Sequence, residues 1–366
     1  MYRIKELNII EEPIIAKHAF VTRQRPLLDE VCSDYGRESI DLCIKVFYGN
    51  PMNQGQNIRT ALWGDNPSES EVRKNTTVFA GTQVQNILWK HYLSPRVYAV
   101  FEAEYGGKRV ACQLTDFVVG ETPENITGIY RMWDAIENIG KQYGFTALSH
   151  KMSINDVIGG KCVDPQLWAF DKTPYLETVK KIYVEKGKYG KIYYQDEDRI
   201  GLHGGPRKSS DRIKYMQLDR IDFKNKIVWD LGCAGGYFLR YAIDRGARRV
   251  IGFDMKESIE AAFHVDNYLG YFNNDYVEAD LKRGIPSNII KPDIAFFLSL
   301  NFHIGIPNYL KDIPFVIFED NGKESRKLTE LRKPWTDWFK NIKFIGKAKD
   351  HGNKSIFWLW NDKLYF

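Results

Sequence analysis

Two acids and a run of small residues carry the first chemical signal. The stretch VWDLGCAGGYFLRY, Val228 to Tyr241, sets Asp230 just ahead of Gly232, Cys233, Ala234, Gly235 and Gly236, and an amphipathic run follows. Small residues at such a place let the backbone turn tightly and lie close to a ligand at the start of a helix. A second acid, Asp254, ends the apolar run RVIGFD twenty-two residues after Gly232. That is the spacing at which a carboxylate accepts hydrogen bonds from a ribose diol. A glycine turn with a distal acid fits a nicotinamide dinucleotide equally well. Asp230 weighs against that reading, because a carboxylate at the turn repels a pyrophosphate and suits an ammonium. A third acid, Asp280, closes VEADL, where it would accept from an adenine amine.

Other residues speak to a reacting partner. His303, in SLNFHIG, stands just past an apolar run and would deprotonate a hydroxyl or amine held there. Glu319 and Asp320 end PFVIFED and are candidates for a base or for orienting an acceptor. Arg207 and Arg212, in GGPRKSSDR, would grip a carboxylate or phosphate through their forked donors. Each has a plainer alternative: a helix cap for Asp230, a turn former for Asp280, a space filler for Cys233, a structural ring for His303. No metal-ligand spacing is present. No Asp/Asn-Pro-Pro-aromatic or Pro-Cys sequence stands where nucleic-acid base methylation would need it, and LSLN lacks the acid of a Lys-Asp-Lys-Glu ribose methyltransferase.

These residues need a frame. From Lys226 onward short apolar runs alternate with amphipathic ones: KIVWD, a helix stopped at Gly246, RVIGFD, a helix stopped at Gly270, then DYVEAD, DIAFFLSL and PFVIFED. Alternation of this kind predicts a parallel sheet covered on both faces, with the candidate acids at its carboxyl edge. IKFIGKAKDHGNKSIFWLW predicts a closing antiparallel hairpin around Asp350, His351 and Gly352, which a dinucleotide-binding sheet does not have.

On these residues the C-terminal half resembles the class I S-adenosylmethionine-dependent methyltransferases. DLGCAGG matches that superfamily's acid-x-Gly-x-Gly-x-Gly turn, with Ala234 in place of the middle glycine. The resemblance implies a Rossmann-like sheet and S-adenosylmethionine as cofactor. The methionine moiety would lie on Asp230, Gly232, Cys233, Ala234 and Gly236, and the ribose on Asp254 beside Met255. The adenine would lie on Asp280 and Leu281, and the methyl group near Leu298 and Ser299. DFKNKIVWDLGC and GGPRKSSDR are similar to a group of methyltransferases that act on tRNA wobble uridines, glycans or small molecules. The acceptor expected is an oxygen or nitrogen on a glycan, a small metabolite or RNA. An oxidoreductase binding a nicotinamide dinucleotide and a non-catalytic binding protein on the same fold remain the alternatives.

The first half reads as mixed strand and helix: a strand within Ile40–Asn50, a helix within Val72–Tyr92, a hairpin over Gly106-Gly107 and an amphipathic helix stopped by Gly144. A strand bearing Lys45, a helix, and a hairpin containing LSPRVYAVFE resemble the small lobe of protein-kinase-like folds over roughly a hundred residues. No HRD or DFG follows, and Gln83 and Gln85 occupy the places where an acid would pair with Lys45, so kinase activity is not expected. The divisions expected are an α+β domain over 1–180, a basic connector or lid over 181–222 and the methyltransferase domain over 223–366. With 43% hydrophobic and 27% charged residues in 366, the composition is that of a soluble globular chain. A net charge of +5 permits a polyanionic partner without demanding one. No apolar run reaches the ~20 residues of a membrane span. Five cysteines without a CxxC pair predict reduced thiols and a cytoplasmic setting.

Overall fold

The computed structural model describes residues 2–4, 19–47, 78–123, 126–147, 157–163, 167–186, 188–189, 192–193, 195–203, 205, 207–320, 334–348 and 354–361. The chain divides into two units, Met1–Thr178 and Val179–Phe366. The expected loop over 52–71, the start of the helix expected from Val72, the glycine and proline at 204 and 206, and the hairpin tip at 350–352 lie outside the described residues. Among the described residues no helix is long and apolar enough to cross a membrane.

The first unit is α+β. It holds β1 (Tyr2–Ile4), β2 (Ala19–Thr22), α1 (Arg25–Asp34), β3 (Leu42–Phe47), α2 (Val78–Lys90), β4 (Val97–Tyr105), β5 (Lys108–Asp116) and α3 (Ile126–Tyr143). Short strand pairs follow at β6 (Phe145–Ala147) with β9 (Leu167–Phe170) and at β7 (Val157–Ile158) with β8 (Lys161–Cys162). The main sheet runs in the order β1-β4-β5-β3-β2. Alternation along β3 sends Leu42, Ile44 and Val46 into one core with Leu27, Leu28 and Val31 of α1. Lys45 lies on the opposite face, where its Nζ donates to the Val163 carbonyl at 3.4 Å. At the β4–β5 turn Tyr105 pairs with Lys108, and both Gly106 and Gly107 have positive φ (+56° and +72°), which only glycine adopts cheaply in a two-residue hairpin.

The second unit contains the end of α4 (Lys172–Lys186), the small hairpin β10 (Lys188–Tyr189) and β11 (Ile192–Tyr193), and α5 (Ser209–Tyr215). Its main sheet is built from β12 (Ile227–Leu231), α6 (Tyr237–Asp244), β13 (Arg249–Asp254), α7 (Lys256–Leu269), β14 (Asn274–Glu278), β15 (Ile294–Leu298), α8 (Asn301–Ile304), β16 (Phe315–Glu319), α9 (Trp335–Trp338), β17 (Asn341–Ala348) and β18 (Lys354–Trp360). The strand order is β14-β13-β12-β15-β16-β18-β17. All neighbours are parallel except β18, which runs antiparallel to both β16 and β17. Strand order therefore reverses between β12 and β15, and the carboxyl ends of strands at such a switch point are where open α/β sheets bind ligands.

Continuous apolar runs explain why these strands are interior. IVWDL, IAFFL and FVIFE put buried side chains on both faces. One face packs on Phe238, Leu239 and Ala242 of α6. The other is closed past β14 without a long helix among the described residues, by Leu310, Ile313, Trp335 and Phe339. Rings of Phe297, Phe318 and Phe357 stack across β15, β16 and β18 at 5.8 and 6.0 Å, which fixes the three strands against one another.

One glycine of the turn is required by this packing. Gly236 has φ +76°, and a Cβ built on it would meet the Tyr276 hydroxyl at 2.4 Å. Gly236→Ala is expected to destabilise the second unit by about 2–5 kcal/mol, combining left-handed backbone strain with overpacking. Urea unfolding of wild type beside the variant measures it.

Candidate active site

The turn after β12 is held by its own backbone. Gly232 N–H and Cys233 N–H both donate to the Phe253 carbonyl, at 2.8 and 3.2 Å, and Gly236 N–H closes on the Cys233 carbonyl at 2.8 Å. Ala234 sits in the left-handed region at φ +47° and donates its N–H to Asp254 Oδ2 at 2.8 Å. The expectation that the whole turn offers bare backbone to a ligand is corrected in part. Gly235 faces Tyr183, Gly236 faces Tyr276, and Gly232 faces the Leu300 side chain, so neighbouring side chains already demand all three glycines. Cys233 is buried with its Sγ against Gly252, and burial pushes its thiol well above the ordinary range. It fills space.

Beneath the turn lies a second arginine cluster that the sequence reading missed. Arg240, fully buried on α6, donates to Asp266 Oδ1 at 2.6 Å, to the Gly235 carbonyl at 2.8 Å and to Glu197 Oε2. Asp266 also accepts from Asn274 at 2.7 Å and from the Tyr276 hydroxyl. The cluster pins the turn and the start of α6 from below.

Asp230 and Asp254 are the two acids at the strand ends. Asp254 is satisfied from two sides, by Ala234 N–H and by Met255 N–H at 2.7 Å to Oδ1. Burial raises its pKa, and those N–H groups with the Ser258 hydroxyl oppose the rise. Asp230 is different. It is 2% exposed, and its Oδ2 is buried with no hydrogen-bond partner. Burial, reinforced by the charge of Asp254 and opposed by Arg212, lifts its pKa to about 7. An unpartnered buried carboxylate oxygen is a place for a cationic donor. Met255 is exposed at the rim, Leu281 is in the core, and Leu298 is half-buried at the end of β15. Asp280 is exposed, accepts from Lys282 N–H at 3.1 Å and pairs with Arg283 at 3.3 Å.

The acceptor-side residues come together, but in other roles than expected. Arg207 Nη1 donates to Glu319 Oε1 at 2.8 Å and Arg212 Nη2 to Glu319 Oε2 at 2.5 Å. Arg207 and Glu319 are 0% exposed and Arg212 is 4% exposed. Both guanidinium groups are thus engaged by a carboxylate of the same unit, which corrects their reading as grips for a substrate anion. Glu319 is corrected as a base on the same ground. Burial alone would raise its pKa, but Arg212 and Arg207 outweigh burial and hold it at about 2. Ser299 Oγ also donates to Glu319. Lys354, which sequence reasoning passed over, is buried and donates to Ser299 Oγ at 3.0 Å. His303 is exposed on α8, its ring 5.4 Å from that of Phe302.

These geometries set opposite pH dependences. Asp230 keeps a proton in the folded state up to about pH 7, whereas an ordinary aspartate loses it near 3.8. Its contribution to stability is complete below the lower value and falls as pH rises to the higher one. Asp230→Asn removes that loss, so the ligand-free variant should melt above wild type at pH 8, with the gap closing at pH 4; thermal unfolding across that range is the check. Glu319 contributes above its ordinary 4.5 and loses that contribution as pH falls to about 2. Glu319→Gln strands two buried arginines and should cost about 3–5 kcal/mol in urea unfolding at pH 7.

Comparison with known proteins places these features. Residues 213–308 match the family model of the FtsJ-like methyltransferases, a span that includes the glycine turn, Asp254, Asp280 and His303. Protein arginine N-methyltransferase 1 of Saccharomyces cerevisiae is 34% identical over 91 residues, which cover 23% of this chain and 26% of that protein, so the chain spans about a quarter of this relative's length. Among solved structures, WbdD is similar with a TM-score of 0.40 and 19% identity, over 52% of this chain and 48% of its own. The ribosomal protein L11 methylase of Lactobacillus delbrueckii subsp. bulgaricus is similar with a TM-score of 0.34 and 19% identity, over 43% and 83%. The acid-led glycine turn lies inside the matched span, and the sheet order and that match make the C-terminal unit similar to the class I methyltransferases.

Proposed function

We propose that the protein is an S-adenosylmethionine-dependent methyltransferase acting on an oxygen or nitrogen acceptor. One observation carries the reading: the buried Oδ2 of Asp230, without a partner, at the mouth of the glycine turn. An ammonium satisfies that oxygen, and a pyrophosphate does not. The group fits the remaining residues. Asp254 accepts from two backbone N–H groups and from the Ser258 hydroxyl, which leaves capacity on its carboxylate for a ribose hydroxyl. Met255 and Leu281, with Asp280, border the place for the adenine, and Leu298 borders the methyl group. When bound, the cofactor supplies a methyl group already activated by its sulfonium. The chain's own part is to position the acceptor and exclude water. With Glu319 engaged by two arginines, His303 is the candidate assigned to take a proton from the acceptor. The acceptor proposed is a glycan or small metabolite, with RNA as the second choice. A reducing, cytoplasmic setting belongs to this reading, supported by five free, buried thiols.

Calorimetric titration tests it. Wild type should bind S-adenosylmethionine and S-adenosylhomocysteine, and Asp254→Ala should bind either at least about tenfold more weakly, a change of ~1.4 kcal/mol, with an unchanged far-ultraviolet spectrum. Equal affinity in the variant would remove Asp254 from the site. Heat from NAD with none from S-adenosylmethionine would replace the reading by that of a dinucleotide-binding oxidoreductase.

A further inference from the structure

The turn that follows β15 is fastened at almost every residue. Ser299 is a non-glycine residue in the left-handed region, φ +60°, a conformation that costs about 1–2 kcal/mol without compensation. Compensation is present. Ser299 Oγ accepts from Lys354 Nζ at 3.0 Å and from Arg207 Nη2 at 3.1 Å, and donates to Glu319. Ser299 N–H is bound to the Glu319 carbonyl at 2.9 Å. With two donors arriving and one hydrogen leaving, the hydroxyl is saturated and its proton has one direction. Leu300 lies over Gly232, where a Cβ would meet it at 2.9 Å. Asn301 Nδ2 donates to Asp320 Oδ1 at 2.5 Å, and Ile304 packs with Leu300 onto the core. The two remaining residues of this run, Phe302 and His303, project outward. Phe302 is 69% exposed.

A large apolar ring held in water on a strained, ion-anchored turn is a cost to stability, and such strain concentrates where function requires it. We infer that Lys354 and Ser299 are positioning residues, which hold Phe302 and His303 as a rigid pair of rings facing the acceptor beside the transfer position. The purpose assigned here rests on the methyltransferase reading; the geometry does not. Lys354 reaches the site because β18 runs antiparallel to β16, so its first residue lies at the edge where the parallel strands end. Arg207 arrives from the segment ahead of α5. The turn is thus gripped from two parts of the chain distant in sequence.

Hydrogen exchange of the whole chain, read by mass spectrometry, tests this. The amides of 299–305 are protected by the Ser299 bond to Glu319, by His303 and Ile304 N–H to the Leu300 carbonyl at 2.8 and 3.0 Å, and by Gly305 N–H to Asn301 at 3.1 Å. Ser299→Ala and Lys354→Met should each speed exchange in 299–305 at least tenfold while β12 and β13 stay at wild-type rates. Lys354→Arg, which keeps a donor, should restore most of the protection. In the double variant the acceleration should not exceed that of Ser299→Ala, because the contact broken by Lys354→Met is one of those that Ser299→Ala already removes. If Lys354→Met loosens the whole unit, Ser299→Ala decides, since it removes one oxygen and no charge. Unchanged exchange of 299–305 in Ser299→Ala, or acceleration confined to 341–361 in Lys354→Met, overturns the assignment. Titration of S-adenosylhomocysteine separates the two ideas: no binding to wild type with the exchange pattern intact defeats the methyltransferase reading and leaves the positioning in place. Binding by wild type and by Ser299→Ala, with 299–305 unmoved, defeats the positioning alone.

Discussion

A single buried carboxylate organises the chemical end of the second unit. Glu319 ends the strand at the middle of the sheet's right half and takes a guanidinium on each oxygen, from Arg207 and Arg212. Neither arginine lies in the sheet. Both belong to the segment that precedes β12, so the ion pairs bind α5 and its approach to the strand ends. Removing the carboxylate would leave two positive charges in a site without water to solvate them, a far larger loss than the pairs contribute over apolar replacements. The arrangement therefore dictates one docking of that segment more than it adds stability.

A second cluster of the same kind lies on the other side of the glycine turn. Arg240 links Asp266 of α7, Glu197 of the segment before β12 and the Gly235 carbonyl. The two clusters engage opposite ends of one stretch, Glu197 at one and Arg207 with Arg212 at the other, and Arg240 also ties the turn through the Gly235 carbonyl. Tyr183 and Tyr276 fill the space that Gly235 and Gly236 leave open. The turn's smallness is thus used by its own neighbours, by tyrosines at Gly235 and Gly236 and by Leu300 at Gly232, while Asp230 just ahead of it keeps an unpartnered oxygen.

The sheet was legible because local patterns specify it. Unbroken apolar runs such as IAFFL and FVIFE have few alternatives to an interior strand, and the Gly246 and Gly270 stops sit one or two residues past the helices they end. Acids at strand ends could be placed once the strands were placed. The partners of those acids could not. Arg207 and Arg212 are 112 and 107 residues from Glu319, and nothing in GGPRKSSDR distinguishes an arginine that meets a substrate from one that meets its own chain. Lys354 was hidden for the same reason, as one lysine among many before an apolar strand. The α4 helix was masked by its charge: Tyr175, Val179 and Tyr183 recur every four residues inside a lysine-rich run, and all three are buried. Reading that spacing instead of the net charge would have found it.

The antiparallel course of β18 has a consequence for how the protein is made. Chains emerge from the ribosome N-terminus first and domains form as their parts become available. The glycine turn, Asp230 and Asp254 precede residue 255 and are translated early. Ser299 and its turn wait for Lys354, 55 residues later in synthesis. A nascent chain that ends before Lys354 carries the Ser299 turn without one of its anchors. The last strand of the sheet is thus the step that completes the anchoring of that turn.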